Sequence, residues 1–289
     1  MNTYWRKMFG WSKTRQVLWD ECKLAYYYQY IGKWEGFPGD PKRERLQRLS
    51  KIKKFIFWKG ELIHEVIRNQ MALHSRNKPL LEDGARKYFI QQVEEIKQHP
   101  KTIITETVNG LTLSDDQFEA ARSDGLKQLD NFFSIIWPDY RERRLLEYER
   151  LNSFQVRQTK VWVQVDLITQ TDEEKTVITD WKTGDERWLD SNADEQMGVY
   201  ILWAIDRFSV PAAQVSAELV FLRSGESHAI VKTQDQLEEL KESIATRAKE
   251  MLAVQTETDF PPDPADRRCR ECNFATICPE GKQRIPLLN

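Results

Sequence analysis

The chain has 289 residues, 40% hydrophobic and 30% charged. That is the composition of a folded globular protein with room for one large or two modest domains, and it excludes disorder as the main state. Its 43 Lys and Arg against 45 Asp and Glu leave a formal net charge of −2, which excludes a surface that is basic throughout but still allows a local basic groove.

Apolar runs such as Phe55-Ile56-Phe57-Trp58 fall far short of the roughly 20 residues that span a bilayer, so no membrane segment is expected. Met1 to Lys7 carry no apolar stretch followed by small residues, so no secretory signal is expected and a cytoplasmic location is. The spacing of Val17, Leu18, Cys22, Ala25 and Tyr26 predicts a helix from Ser12 to Gly32, with Ser12 as its cap and Cys22 on it. A polar stretch bearing Pro and Gly, Trp34 to Arg45, separates it from a second predicted helix over Leu46 to His74. Further helices are expected over Glu82 to Gln98 and over Ser114 to Ile136, the last opened by Ser114 and ended by Pro138.

From Arg144 the period changes to that of strands. Arg144 to Glu149 and Val156 to Ile168 read as extended, with Val161, Val163 and Val165 on one side and Trp162, Gln164, Asp166 and Ile168 on the other. Thr171-Asp172-Glu173-Glu174 reads as a hairpin turn and Lys175 to Lys182 as the returning strand. A helix over about Asp190 to Phe208 follows, then strands over Ser216 to Leu222 and Ala229 to Lys232, and a last helix over Gln234 to Val254. The order of helices, βββ, α, ββ, α predicts an α/β fold: a mixed sheet flanked by helices. It is expected as one domain over 1–289, with a helical insertion at 46–138, an α/β core at 143–254 and a cysteine cluster at 267–280.

The cysteines are Cys22, Cys269, Cys272 and Cys278. In a cytosolic chain a Cys-x2-Cys pair points to metal or redox chemistry, and here it follows a Pro-rich stretch instead of opening a helix in a βαβ unit. Four thiolates suit zinc or an iron–sulfur cluster on ligand count. One distant cysteine plus Cys-x2-Cys-x5-Cys is unlike the paired ligands of a compact zinc ribbon, which favours iron–sulfur. Such a centre would close a very long loop and tie the chain ends together.

Asp166 falls at the end of one predicted strand, and Asp180-Trp181-Lys182 at the end of the next. Asp180 and Lys182, two apart, share a face. Two carboxylates beside an ammonium form a hard-oxygen site for a divalent cation, suited to cleaving a phosphodiester. Glu147 and Glu149 are read as surface partners of Arg141, Arg143 and Arg144, outside the site.

The sequence resembles the PD-(D/E)xK nuclease superfamily, specifically its RecB-like branch with an iron–sulfur cluster, which includes nucleases of CRISPR adaptation and of the AddB type. The resemblance rests on Cys22 followed by Ala25-Tyr26-Tyr27, on Gly60-x3-His64, on Asp166 and Asp180-Trp181-Lys182, on Gln196-x3-Tyr200, and on Cys269, Cys272 and Cys278, in that order. Val163 stands where the family often has Gly, and Val165 replaces the eponymous Pro.

The resemblance implies a restriction-endonuclease-like core and a Mg2+- or Mn2+-dependent deoxyribonuclease, an exonuclease on single-stranded or end-bearing DNA. It implies His64, Asp166, Asp180 and the Trp181 carbonyl as metal ligands. Lys182 is implied as catalytic base or charge stabiliser, and Gln196 and Tyr200 as substrate-facing. The four cysteines would hold a 4Fe-4S cluster, and a helicase or CRISPR integrase would be a partner. The alternative is a catalytically silent DNA-binding or scaffold subunit of a nuclease complex.

Overall fold

A computed structural model describes residues 9–100, 103–185, 191–254 and 256–285. Met1 to Lys7, read for a signal, and Asp190, the expected helix start, lie outside the described residues. Two compact units share the chain: Met1–Trp58 with Glu95–Phe118 and Arg247–Asn289, and Lys59–Glu94 with Glu119–Thr246.

The second unit is built on a five-stranded mixed sheet in the order β1-β2-β3-β4-β5. The strands are β1 (Arg144–Val156), β2 (Thr159–Gln170), β3 (Thr176–Lys182), β4 (Val215–Phe221) and β5 (Ser227–Ile230). β3 and β4 run parallel, joined through the Ser191–Phe208 helix, while the other neighbours are antiparallel. Parallel neighbours need such a crossover, and the expected βββ, α, ββ order supplies it. Val161, Val163 and Val165 are buried as alternation requires, and Met197, Ile201 and Trp203 of the crossover helix join that core.

Two corrections fall here. Val156 to Ile168 is not one extended run, because the chain reverses at Arg157-Gln158, between β1 and β2, with Arg157 in the left-handed region at φ 53°. Asp166 therefore stands inside β2 and not at its end.

Within the first unit the expected Ser12–Gly32 helix is broken into Lys13–Glu21 and Lys23–Tyr30, so Cys22 is not on a helix. It is extended, at φ −166° and ψ 109°, closing one helix with its N–H and opening the next with its carbonyl. Ser12 caps as expected, accepting from the Arg15 N–H at 3.3 Å. Around the break Trp19, Tyr26, Tyr27 and Phe260 form an aromatic core, with ring centroids 5.1–6.4 Å apart, favourable edge and stacked geometries among them.

The expected Leu46–His74 helix is likewise two, Pro41–Leu49 and Phe55–His74. Asp40 caps the first, accepting from Arg43 N–H, with Pro41 in the first turn, where its missing N–H costs nothing. Between them Lys53 bridges to Ile104, and the Glu106 carboxylate accepts from the Phe55 N–H. The Glu82–Gln98 helix matches expectation. The next, Asp115–Asn131, is opened by Ser114 but continues as a π-turn over Phe132–Ile136. Pro138 then sits in the first turn of a short helix, Trp137–Tyr140, instead of ending the long one.

Candidate functional site

Three neighbouring strands and one helix bring the acidic residues together. The register that pairs Tyr148 with Leu167 and Arg150 with Val165 leaves Glu149 across from Asp166. The pairing of Leu167 with Thr179 continues to Asp166 beside Asp180. The Phe55–His74 helix contributes His64, whose Nδ1 lies 3.2 Å from Asp166 Oδ1 and 3.7 Å from Glu149 Oε1. Asp166 Oδ2 accepts from the Trp181 N–H at 2.7 Å.

His64, Glu149 and Asp166 each offer a ligand atom within 4.8 Å of the others, the one such group of three among the described residues. Glu149 thus belongs with the site, and its reading as a mere surface partner of the nearby arginines is corrected. Its backbone sits at φ 46°, a strained conformation for a side-chain-bearing residue, of the kind that gathers at functional sites. Gln164 Nε2 donates to Glu149 Oε2 at 3.0 Å.

Gly60 explains how the helix reaches the sheet. A Cβ there would meet Thr183 Oγ1 at 2.8 Å, so glycine lets the helix lie this close to the turn after Lys182 without displacing the Thr183 hydroxyl. One turn later, His64 is at the carboxylates.

Burial raises the Asp166 carboxyl; His64 opposes the rise, and the neighbouring Asp180 and Glu149 add to it. Burial alone would lower the His64 imidazole, but Asp166 and Glu149 hold it well above its ordinary value. For Glu149 burial works upward, yet hydrogen bonds from His64 and Gln164 keep the carboxyl below its ordinary value. Without a cation the group therefore balances its charge with a proton on His64. The buried Asp180 Oδ2 is paired with Lys182 Nζ at 2.6 Å. Clustered carboxylates and an imidazole fit a hard divalent cation.

Lys182 Nζ also donates to Gln196 Oε1 at 3.2 Å. Gln196 Nε2 donates to the Tyr200 hydroxyl at 2.9 Å, which donates to the Gln164 carbonyl at 2.8 Å. Burial pushes the Tyr200 hydroxyl well above its ordinary value, so it stays protonated. Gln196 and Tyr200, expected to face substrate, form a hydrogen-bond chain that reaches Lys182. Trp181 contributes its N–H, and its ring packs on Phe132 and Tyr140 at 5.8 and 5.4 Å.

The cysteines occupy a different place. Cys22, Cys269, Cys272 and Cys278 line one cavity, with Tyr28, Pro262 and Phe274 in its wall. Asn109 holds the cysteine loop from beneath, donating to the carbonyls of Arg270 at 2.8 Å and Cys272 at 2.9 Å, and Asn273 donates to the Ile52 carbonyl at 2.7 Å. Gly281 passes so close to Ala275 that a Cβ would meet its backbone at 2.6 Å. Burial pushes the Cys272 thiol up to about 12; the Phe274 N–H opposes this and the other three thiols add to it. No three of these sulphurs approach within 4.8 Å, so the tight single-ion arrangement that four thiolates around one metal would give is absent among the described residues.

A sheet edged by helices, with carboxylates, an imidazole and an ammonium at adjoining strands, defines a class of phosphodiester-cleaving nuclease. The family model of the PD-(D/E)XK nuclease superfamily matches residues 10–279, and the chain belongs to that superfamily. No curated protein matches the chain. Among solved structures it is similar to one described as "Crystal structure of SSO0001", with 17% identity over 57% of this chain and 75% of that one and a TM-score of 0.33. Among the described residues no helix is long and apolar enough to cross a membrane.

Proposed function

We propose that this nuclease hydrolyses DNA with single-stranded or free ends, as an exonuclease in repair, recombination or CRISPR adaptation, beside a helicase or integrase. The observation that carries the reading is the meeting of His64, Glu149 and Asp166 within 4.8 Å, with Asp180 on the adjoining strand and Lys182 Nζ 2.6 Å from it. His64, Glu149, Asp166 and Asp180 would hold Mg2+ or Mn2+. When bound, the cation supplies charge that polarises a phosphate oxygen and acidifies water.

The chain's own groups do the rest. Lys182 keeps its ammonium beside the reacting phosphate, where it orients the attacking water and offsets charge developing on the phosphate oxygens. Gln196 and Tyr200 hold that ammonium in place, and the Trp181 N–H fixes the Asp166 carboxylate.

The cysteine cavity would hold an iron–sulfur cluster. Four cysteines lining that cavity suit it as donors, and their separation suits a polynuclear group better than one zinc, whose sulphurs would stand about 3.8 Å apart given zinc–sulphur bonds of about 2.3 Å. Its role in this reading is to tie Cys22 to the Cys269–Cys278 loop.

The test is cleavage of end-labelled single-stranded and duplex DNA with Mg2+ or Mn2+ by the full chain and by Asp180→Ala and Lys182→Ala. Divalent-dependent cleavage lost in both variants is the expected result; undiminished cleavage removes the assignment. DNA binding without cleavage would select the silent-subunit alternative.

A further inference from the structure

The side of the β1–β2 hairpin that carries Asp166 continues beyond it as a strip in which Leu151, Ser153, Gln155 and Gln164 are exposed and Trp162 and Lys160 half-buried. Period-two alternation sets Gln164, Trp162 and Lys160 on that side of β2 and Leu151, Ser153 and Gln155 opposite them on β1, while Val161, Val163 and Val165 are buried behind. Gln164 ties the strip to the acidic group through its bond to Glu149.

Its composition is unusual for a solvated sheet face. Leu151 is 61% exposed. The Trp162 ring, diagonal to it, stacks on no other aromatic among the described residues. Lys160 Nζ lies 3.9 Å over that ring, and among the described residues Lys160 makes no ion pair with a carboxylate. The hairpin tip differs, because Arg157 is committed to Glu238 and Glu242. Apart from Glu149 at the end nearest Asp166, the strip bears no acidic residue. At that same end exposed Arg68 follows His64 by one helical turn.

We infer that this strip, with Trp162 as its platform and Lys160 as its phosphate contact, seats a single-stranded segment of the nucleic acid whose phosphodiester reaches Asp166. The inference rests on the proposed function for its direction. A flat aromatic with a free cation and an apolar neighbour is what an unpaired base and its phosphate require, whereas a duplex hides its bases inside the stack. Continuity with the acidic group selects this occupant over a protein partner. The six steps from Lys160 to Asp166 extend about 20 Å, which accommodates roughly three to six nucleotides given a phosphate spacing of about 3.4 Å or more.

The experiment measures binding by fluorescence anisotropy, in EDTA to prevent cleavage, of a labelled ten-nucleotide oligothymidylate and of its blunt duplex with oligoadenylate. Trp162→Ala weakens single-strand binding by about 5- to 150-fold, Trp162→Phe restores most of it, and duplex binding changes much less. Lys160→Gln lowers the slope of log affinity against log salt by about 0.7. Equal affinity of Trp162→Ala and wild type overturns the inference, as does an equal loss for single strand and duplex. Should Trp162→Ala not fold, an unchanged salt slope in Lys160→Gln overturns it instead. Divalent-dependent cleavage is scored separately, so its absence removes the proposed function without deciding this binding result.

Discussion

Glu149, Asp166 and Asp180 lie within 31 positions on strands joined by short turns, while Cys22 stands 247 positions before Cys269. Closing the longer loop costs about 2 kcal/mol more in chain entropy, since each doubling of loop length adds about 0.6 kcal/mol. The carboxylates are gathered by backbone register, which hydrogen bonds set residue by residue. The cysteines are gathered by side-chain packing: the rings around Tyr26 and Phe260 and the amide clamps of Asn109 and Asn273 do what register does elsewhere. The first arrangement is local; the second leaves the Cys272 thiol raised by burial, a state that a thiolate-binding group would relieve.

Substitutions on the two sides should therefore fail differently. The largest effect is expected for Lys182→Ala, which should lower divalent-dependent cleavage by about 10²- to 10⁴-fold while leaving the thermal midpoint near wild type. Lys182 lies at a strand end, and its removal leaves no cavity. A comparable fall in midpoint would make Lys182 a structural residue.

Cys272→Ser should do the reverse, removing iron and sulphide together and destabilising the Cys22 region by about 3 to 5 kcal/mol. A colourless, zinc-loaded wild type prepared without oxygen would contradict the iron–sulfur reading outright.

Asp124→Asn is expected to cost about 2 kcal/mol without touching either centre. It leaves Lys59 buried, and it removes the carboxylate that also binds Arg223 at 3.0 Å and Gln128 at 2.9 Å. Burial alone would raise Asp124, but Lys59 and Arg223 lower it below its ordinary value. A carboxyl lowered on folding stabilises the protein above its unfolded value and loses that contribution as pH falls through the acid range below about pH 4. Wild type should lose stability there more steeply than the variant in denaturant titrations.

Smallest is Glu149→Gln, expected to weaken Mg2+ or Mn2+ affinity by about 10- to 100-fold in calorimetry and to leave cleavage recoverable at high metal. His64 is held well above its ordinary value, so it must shed its proton before a cation binds, and apparent metal affinity should climb as pH rises. An affinity independent of pH would mean that the cation sits elsewhere.

Much of the fold was legible because its elements are long and strongly patterned. The Glu82–Gln98 helix and the βββ, α, ββ, α order follow from periodicity. The breaks were not legible, because they answer to distant contacts: at Cys22 the chain extends where its side chain lines a cavity with residues far along the sequence, and at Lys53 it pairs with Ile104. Glu149 was missed for a related reason. Its place is set by the turn at Arg157-Gln158, a pair carrying none of the Gly or Asn that mark tight hairpins. Reading that turn would have counted back from Asp166 to Glu149.

Residue types, their order and their spacing on each strand or helix were determined by the sequence alone, since alternation and helical period depend only on backbone geometry. Which residues meet was decided by tertiary structure: the register that sets Glu149 against Asp166, the glycine contact that brings His64 to them, and the packing that puts Cys22 beside Cys269, Cys272 and Cys278. Those pairings depend on the sum of many weak contacts across the chain, which no local stretch of residues carries.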